Sequence, residues 1–257
     1  MWGEFKNYWN FSLGMNREGE ELSTSSLRGG PALRLPGVWN GWLFINSDSR
    51  KKFRYFAGTF FFYGDQKDSR VNGFEIGATF RPNKALSLSV SPSYEFSMNE
   101  LQYVDTLDLA AGEKYIFARI EQKTLGLTCR LNLSLTPDLS IQFYGQPFIS
   151  AGKYSEFKPI TDSRAQKYED RFHIITENEI DYYPDTEEYN VDENLDGVVD
   201  YTFENPDFNF LQFRMNLVVR WEYIPGSSLY LVWSQGRTDV SSIGDFSFRE
   251  GMRDLFS

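Results

Sequence analysis

The sequence has little cysteine, little histidine and no long apolar runs. Cys129 and His173 are the single cysteine and histidine among 257 residues, which excludes a disulfide scaffold and argues against a histidine-based metal centre or a Ser-His-Asp triad. No apolar run approaches the roughly 18 to 20 residues of a membrane-spanning helix. The net charge of -10 argues against nucleic acid as a partner.

Aromatic residues and a two-residue alternation are the features present in excess. Phe, Trp and Tyr make up 17% of the chain. Apolar and polar side chains alternate along residues 86–98, 125–135 and 211–223. These segments predict strands longer than the usual length of about 5 to 6 residues. A tilted strand needs roughly 9 to 11 residues to cross a bilayer, so these strands are long enough to do so.

The alternation predicts an all-β fold, specifically an antiparallel transmembrane β-barrel of the outer-membrane type, in preference to a soluble β-sandwich. Large charged groups lie among small Ser, Thr and Gly residues on the polar side of the strands, as a wide polar lumen requires. Aromatic residues cluster at strand ends, where membrane interfaces favour them. The predicted lumen-lining residues are Glu95, Arg130, Arg214, Arg220 and Glu222.

We predict that residues 1–257 form one barrel region of about nine long strands. Short connections alternate with longer ones, as periplasmic turns alternate with outer loops. Nine is odd, whereas bacterial barrels have even strand numbers, and the chain begins without a signal peptide. We therefore expect an incomplete piece of a larger barrel from a longer precursor. The predicted strands are 2–15, 31–46, 52–63, 71–81, 86–99, 115–135, 139–150, 208–223 and 229–236.

Residues 151–207 form the longest predicted connection, and they hold 16 acidic and five basic residues. We expect a long extracellular loop that carries a possible calcium site. Within it, residues 192–200 match the first nine positions of an EF-hand calcium loop. The expected ligands of a structural Ca²⁺ are the side chains of Asp192, Asn194, Asp196 and Asp200 and the carbonyl of Val198.

The calcium motif departs from the EF-hand pattern at its twelfth position, where Phe203 replaces the bidentate Glu. The missing ligand would have to come from Glu193, Glu204 or Asp207. The alternative is a solvated acidic turn, in which Asn and Gly occur because turns favour them.

Two further motifs have weaker chemical interpretations. Residues 28–31 (Arg-Gly-Gly-Pro) precede a strand and are expected to form a turn, because a phosphate-binding loop would need a Lys-Ser/Thr pair and a following helix. Carboxylates such as Asp181, Asp185 and Glu187 could serve glycoside hydrolysis. In so acidic a segment, however, such pairs also arise by chance.

Two stretches carry a resemblance to a known family: residues 27–34 (LRGGPALR) and residues 191–235, which include NPDFNF at 205–210 and PGS at 225–227. Together they resemble the C-terminal outer-membrane barrel of the domain-of-unknown-function family 5916. The resemblance implies a large outer-membrane protein of Bacteroidota type, with an N-terminal family-9 carbohydrate-binding-like domain. It carries no catalytic residues over to this chain.

The expected function is a non-enzymatic channel or surface scaffold in the bacterial outer membrane, linked to binding of glycans or the envelope. Its expected partners are outer-membrane lipid, glycans and surface lipoproteins. Two alternatives remain open. One is an outer-membrane hydrolase acting on glycans or lipids, and the other is a soluble calcium-binding β domain for adhesion.

Overall fold

The computed structural model describes residues 1–66, 69–110, 112–242, 244 and 253. This part of the chain forms strands and one short 3-10 helix, Glu169–Arg171. It contains no helix of the length and hydrophobicity that a membrane crossing requires. The strands are β1 (Trp2–Glu4), β2 (Asn10–Glu18), β3 (Glu21–Ser23), β4 (Leu33–Leu35), β5 (Val38–Asn46), β6 (Phe53–Gly64), β7 (Arg70–Phe80), β8 (Leu86–Leu109), β9 (Gly112–Ser134), β10 (Leu139–Pro159), β11 (Ile180–Tyr183), β12 (Glu188–Val191), β13 (Tyr201–Glu204), β14 (Phe208–Ile224) and β15 (Ser227–Ser241).

One antiparallel sheet of ten strands dominates the molecule, in the order β1-β2-β5-β6-β7-β8-β9-β10-β14-β15. Two smaller antiparallel sheets accompany it, β3-β4 and β11-β12-β13. The prediction of an all-β antiparallel fold is confirmed. In the described residues none of the three sheets closes on itself, and β1 and β15 are the edge strands of the large one.

The register divides the large sheet into an apolar face and a polar face, because successive side chains of a strand point to opposite sides. One apolar row runs across five neighbouring strands, and each of its residues pairs directly with the next. The row consists of Leu88, Leu131, Phe143, Leu217 and Trp233. The neighbouring row on the polar face consists of Ser89, Arg130, Tyr144, Asn216 and Ser234.

The apolar face is exposed on strands β2, β5–β8, β14 and β15. Soluble proteins rarely leave a contiguous apolar surface of this extent uncovered, so the exposure indicates an interaction surface. Members of this face at least 50% exposed are Met15 (65%), Phe53 (54%), Tyr55 (52%), Phe74 (55%), Ile76 (59%), Trp221 (50%), Tyr223 (54%), Leu229 (56%), Leu231 (66%) and Trp233 (58%).

Aromatic rings fill the space beside glycines on the polar face. Phe44 lies opposite Gly58 across β5 and β6, and Phe60 lies opposite Gly73 across β6 and β7. A Cβ atom placed on either glycine would collide with the ring of its partner. Because Gly in a strand interior often marks close approach of another group, we infer that these positions are glycine so that the rings can lie flat on the sheet.

The strands β8 and β9 are 24 and 23 residues long and extend beyond the rest of the sheet. The prediction that residues 100–114 form a loop is therefore wrong, since Leu109 pairs with Gly112 at the tip of a continuous hairpin. Two bulges in β8 interrupt its register, between Asn99 and Gln102 and between Tyr103 and Asp105. These bulges hide the strand from a search for strict alternation.

Residues 19–37 and 151–207 pack against this extended hairpin and form what we call the cap. Ile116 and Ala118 of β9 lie in one buried cluster with Val191, Tyr201 and Phe203. The alternate residues Tyr115 and Phe117 lie in a second cluster with Leu27 and Leu33. Both sides of the hairpin are therefore covered, and the cap has its own hydrophobic core.

Two of the predicted strands are interrupted in the structure. The strand predicted at 2–15 is split into β1 and β2 by a tight turn, in which the Phe5 amide donates to the Trp9 carbonyl and Tyr8 has a φ of 65°. The strand predicted at 31–46 is split into β4 and β5. Of these two, β4 pairs with β3 in the cap rather than with the large sheet.

Candidate functional site: the polar face and the cap

The five residues predicted to line a lumen all lie on the polar face of the large sheet. Arg220 and Glu222 are two residues apart on β14 and form an ion pair of 2.6 Å. The Arg130 guanidinium lies 5.3 Å from the ring centre of Tyr144, its direct cross-strand neighbour. Glu95 and Arg214 occupy polar-face positions on β8 and β14. The alternation therefore located these side chains correctly on one face, while their role as a lumen stays a prediction.

A network of ion pairs around the buried Lys158 joins the large sheet to the cap. The Lys158 side chain is 1% exposed, and its Nζ lies 3.1 Å from Glu100 and 3.9 Å from Glu156. Arg119 contacts both of these glutamates and also Glu121, at distances of 3.2 to 3.5 Å. Removing Lys158 or Glu100 is costly, because the other side chain would remain buried and charged.

Sequence reasoning missed this network because its members are distant in the chain. Lys158 and Glu100 are 58 residues apart. The available signal was the placement of a lysine within the buried end of β10, where Phe157 and Pro159 flank it. Glu156 lies at a bulge between Ser155 and Lys158 and has a φ of 50°.

Arg171 fastens two parts of the cap to each other. Its side chain is fully buried and donates hydrogen bonds to the backbone carbonyls of Ala165, Gln166 and Arg34. It also forms an ion pair with Glu20 at 3.3 Å. Because Arg34 lies in β4 and Glu20 immediately precedes β3, Arg171 connects the β3-β4 hairpin with the segment that follows β10.

The predicted calcium loop connects β12 to β13 and is held by side-chain to backbone hydrogen bonds. The Asp192 carboxylate accepts from the amides of Asp196 and Gly197, at 3.2 and 2.8 Å. Asn194 Oδ1 also accepts from the Asp196 amide, at 2.8 Å. Asp200 accepts from the Glu193 amide at 2.9 Å. These bonds gather the predicted ligands around one tight turn.

The loop does not by itself form a complete carboxylate cage. Within the described ranges, no group of three or more His, Cys, Asp or Glu side chains is arranged so that it could hold a metal ion. The calcium prediction also uses Asn194 and the Val198 carbonyl, and it stays a prediction.

Of the three carboxylates expected to complete the calcium site, two are engaged elsewhere. Glu193 accepts hydrogen bonds from Lys114 at 2.7 Å and from the Tyr201 hydroxyl at 2.5 Å. Burial and this glutamate both raise the pKa of Tyr201, which therefore stays protonated. Asp207 accepts from the Tyr154 amide at 2.6 Å. Glu204 is exposed on β13.

The glycine pair of the Arg-Gly-Gly-Pro motif forms a turn, as expected. The Gly30 amide donates to the Leu27 carbonyl, and Gly29 has a φ of 118°. A Cβ on Gly30 would collide with the Tyr115 ring. Leu33, which follows the motif, is completely buried. The close packing of Gly30 and the burial of Leu33 indicate that the motif anchors the cap.

The carboxylates considered for hydrolysis lie on the surface of the β11-β12 hairpin. Asp181, Asp185 and Glu187 are all exposed, and the Glu187 side chain accepts a hydrogen bond of 2.6 Å from Ser242. Ile180–Tyr183 pairs with β12. The structure therefore does not enclose these acids in a cleft. It gives no support to the prediction of hydrolysis.

Glu179 is a buried carboxylate at the base of the cap. It accepts hydrogen bonds from the amide and the hydroxyl of Thr176, at 2.6 and 2.7 Å, and lies 3.1 Å from His173 Nε2. The amide hydrogen bond from Thr176 is the main reason that the pKa of Glu179 lies below its usual value. His173 thus contacts a structural carboxylate and occupies an exposed position.

Comparison with known proteins adds one finding about the chain as a whole. Curated proteins and solved structures gave no match. Among protein families, the match extends over residues 1–257. The chain therefore belongs to the family described as domain of unknown function DUF5916.

Proposed function

We propose that the ten-stranded sheet is the membrane-embedded part of an outer-membrane β-barrel, and that the chain acts there as a channel or surface scaffold in the bacterial envelope. The main support is the exposed apolar face. Lipid is the partner that fits this face, because the exposed large side chains spread over β2, β5–β8, β14 and β15 instead of forming one compact patch. Alternation of an apolar outer face with a polar inner face is the pattern of membrane barrels.

The height of the apolar face also fits a bilayer. From Phe213 to Tyr223 the apolar side of β14 covers ten residue steps, or about 33 Å at about 3.3 Å per residue. With the usual strand tilt of about 40°, this length spans about 25 Å, the height of the apolar band of such barrels.

Aromatic residues border the apolar face at both ends, as membrane interfaces favour. At the cap end, Trp39 pairs directly with Tyr63. At the opposite end, the rings of Phe53 and Phe80 stack at 4.5 Å.

The proposal assigns the polar face to the barrel lumen and the cap to the extracellular side. An unpaired strand edge is not tolerated in hydrocarbon, so the free edges of β1 and β15 would pair with further strands of a larger barrel. The charged side chains of the polar face would then set the field along the lumen. Glycans and surface lipoproteins are the proposed partners of the cap.

A structural Ca²⁺ in the loop of residues 192–200 belongs to the same proposal. Its support is the convergence of Asp192, Asn194 and Asp196 on one turn. A cation would offset the negative charge of residues 151–207, where acidic residues outnumber basic ones 16 to five. The role of the ion would be to order the cap, as in extracellular calcium modules.

Planar-bilayer recording of the full-length protein tests the function as a channel. We expect stepwise conductance, and we expect Arg130→Glu to shift the reversal potential toward cation selectivity because Arg130 lies on the polar face. Arg164→Glu, which changes an exposed residue of the cap, is the matched control and should shift it less. A protein that stays in the aqueous phase and does not associate with lipid would contradict the proposal.

A further inference from the structure

The end of the sheet opposite the cap carries a concentration of positive charge. Two neighbouring turns and the start of β6, together residues 47–54 and 81–85, hold six basic residues and one acidic residue. They lie next to each other, because the Arg81 amide donates to the Lys52 carbonyl at 2.7 Å. Such a cluster attracts anions to this end of the molecule.

A cavity of about 360 Å³ opens beside these turns, between β2, β5, β6 and β7. Arg54 is its charged lining residue, and Thr79 lies directly opposite Arg54 across the strand pair. Among the described residues that line the cavity, none carries a carboxylate. The polar side chains that line it are Asn10, Asn46, Ser47, Ser49, Arg54 and Thr79.

Arg54 is a half-buried cation. Its Nε atom is buried and makes no hydrogen bond, and among the described residues no carboxylate forms an ion pair with it. Leaving a buried donor of a charged group unsatisfied costs free energy. An anionic ligand would remove this cost.

The nearest acidic residue of the turns is not available to Arg54. Asp48 is held by Arg50, whose guanidinium donates to both carboxylate oxygens at 2.9 and 2.8 Å. These hydrogen bonds lower the pKa of Asp48 to about 2. The Asp48 charge is thus already neutralised, which leaves the field at the cavity positive.

The other lining groups are suited to donate hydrogen bonds to an oxyanion. The Ser47 hydroxyl oxygen accepts from the Tyr55 amide at 2.7 Å, so its own hydrogen can point elsewhere. Asn46 Nδ2 donates to Asn10 at 3.1 Å and keeps a second hydrogen. Arginine is the preferred partner of phosphate, because its planar fork matches two of the oxygens.

We propose that this cavity is a binding site for a phosphate group, held by Arg54 and the surrounding hydroxyl and amide donors. The site lies on the polar face, next to the short turns. Phosphate binding there does not require the sheet to be embedded in lipid. The phosphate could belong to a small soluble molecule or to a lipid headgroup, since both present the same oxyanion.

Titration calorimetry with inorganic phosphate, on the full chain in phosphate-free buffer, tests this proposal. Arg54→Gln should weaken binding at least tenfold. Arg81→Gln removes an exposed cation from the neighbouring turn and should change binding less than threefold. Thr79→Val keeps every charge, carries little risk to folding, and should weaken binding measurably.

Two results would overturn the proposal. One is the absence of phosphate binding by the unaltered protein. The other is an equal loss in Arg54→Gln and Arg81→Gln, which would assign the binding to the diffuse charge of the turns. Competition by phosphatidylglycerol in nanodiscs would identify a headgroup as the source of the phosphate, and competition by glycerol 3-phosphate alone a soluble ligand. In either case, binding of the phosphate would still depend on Arg54.

Discussion

At the scale of single residues, glycine and aromatic pairs control how closely the polar face packs. A methyl group on Gly73 would collide with the Phe60 ring, whereas nothing lies within 4 Å of a Cβ on Gly236. We therefore expect Gly73→Ala to lower the free energy of unfolding by about 1 to 3 kcal/mol, the usual cost of overpacking. Gly236→Ala is the matched control and should leave it nearly unchanged.

Urea titration of the folded protein, followed by tryptophan fluorescence, measures this difference. Equal midpoints for the two variants would show that the Phe60 ring moves aside without cost. The contact between ring and glycine would then not contribute to stability.

Glu179 gives the cap a defined dependence on pH. Its pKa is lowered in the folded state, so its contribution to stability is complete above the unfolded value of about 4.3. This contribution is lost as the pH falls through the folded-state pKa. We expect hydrogen exchange at the Thr176 amide to accelerate in that acidic range.

Glu179→Gln is the control for this pH dependence, because it removes the titrating group and keeps the size of the side chain. Exchange at the Thr176 amide should then vary with acidity only through the intrinsic chemistry of exchange. An identical profile in both proteins would assign the effect to another group.

Single residues also show what sequence reasoning reaches and where it stops. A period of two determines the face of a strand, and it therefore located Glu95, Arg130 and Arg214 correctly on one side. Arg54 and Arg171 were not found. Whether an arginine is paired depends on side chains that are distant in the chain and that folding brings next to it. The alternation within one strand carries no information about these neighbours.

At the scale of elements, the cap depends on the link made by Arg171 between the β3-β4 hairpin and residues 160–172. Arg171→Leu leaves several carbonyl groups and the Glu20 carboxylate without their donor. We expect limited proteolysis to cut both segments at least tenfold faster. Arg164→Leu, at an exposed neighbouring position, should not change the rate. Unchanged cleavage of the Arg171 variant would mean that the hydrophobic clusters hold the cap alone.

The loop between β12 and β13 leads to the prediction on calcium. Titration calorimetry of the intact protein should show a heat of calcium binding that disappears in Asp196→Ala. Asp185→Ala removes an equal charge from an exposed position in the same cap and should retain the heat. The same heat in both variants would identify non-specific counter-ion binding.

Elements were predictable where one face of a strand is uniformly apolar. Residues 86–99 and 208–223 were predicted as strands, and β8 and β14 start at the same residues. The far part of β8 was missed because bulges shift its alternation and because Glu100 is buried through pairing with Lys158. The strands of the β11-β12-β13 sheet have four residues each, which is too few for a period to be recognised.

At the scale of the whole molecule, the sheet has two different surfaces, and one of them lacks a protein partner among the described residues. An apolar surface of this extent in water would drive aggregation, whereas in a bilayer it stabilises insertion. The charged side chains of the polar face are compatible with water. The central claim is therefore that lipid covers the apolar face.

Thiol accessibility in reconstituted vesicles measures this most directly. Single cysteines are placed in a Cys129→Ser background at Leu127 and Leu131 on the apolar face and at Thr128 and Asn132 on the polar face, and a water-soluble maleimide is added. We predict that the two polar-face positions react at least tenfold faster, because lipid excludes the reagent from the other two. Equal labelling of all four positions would contradict the account.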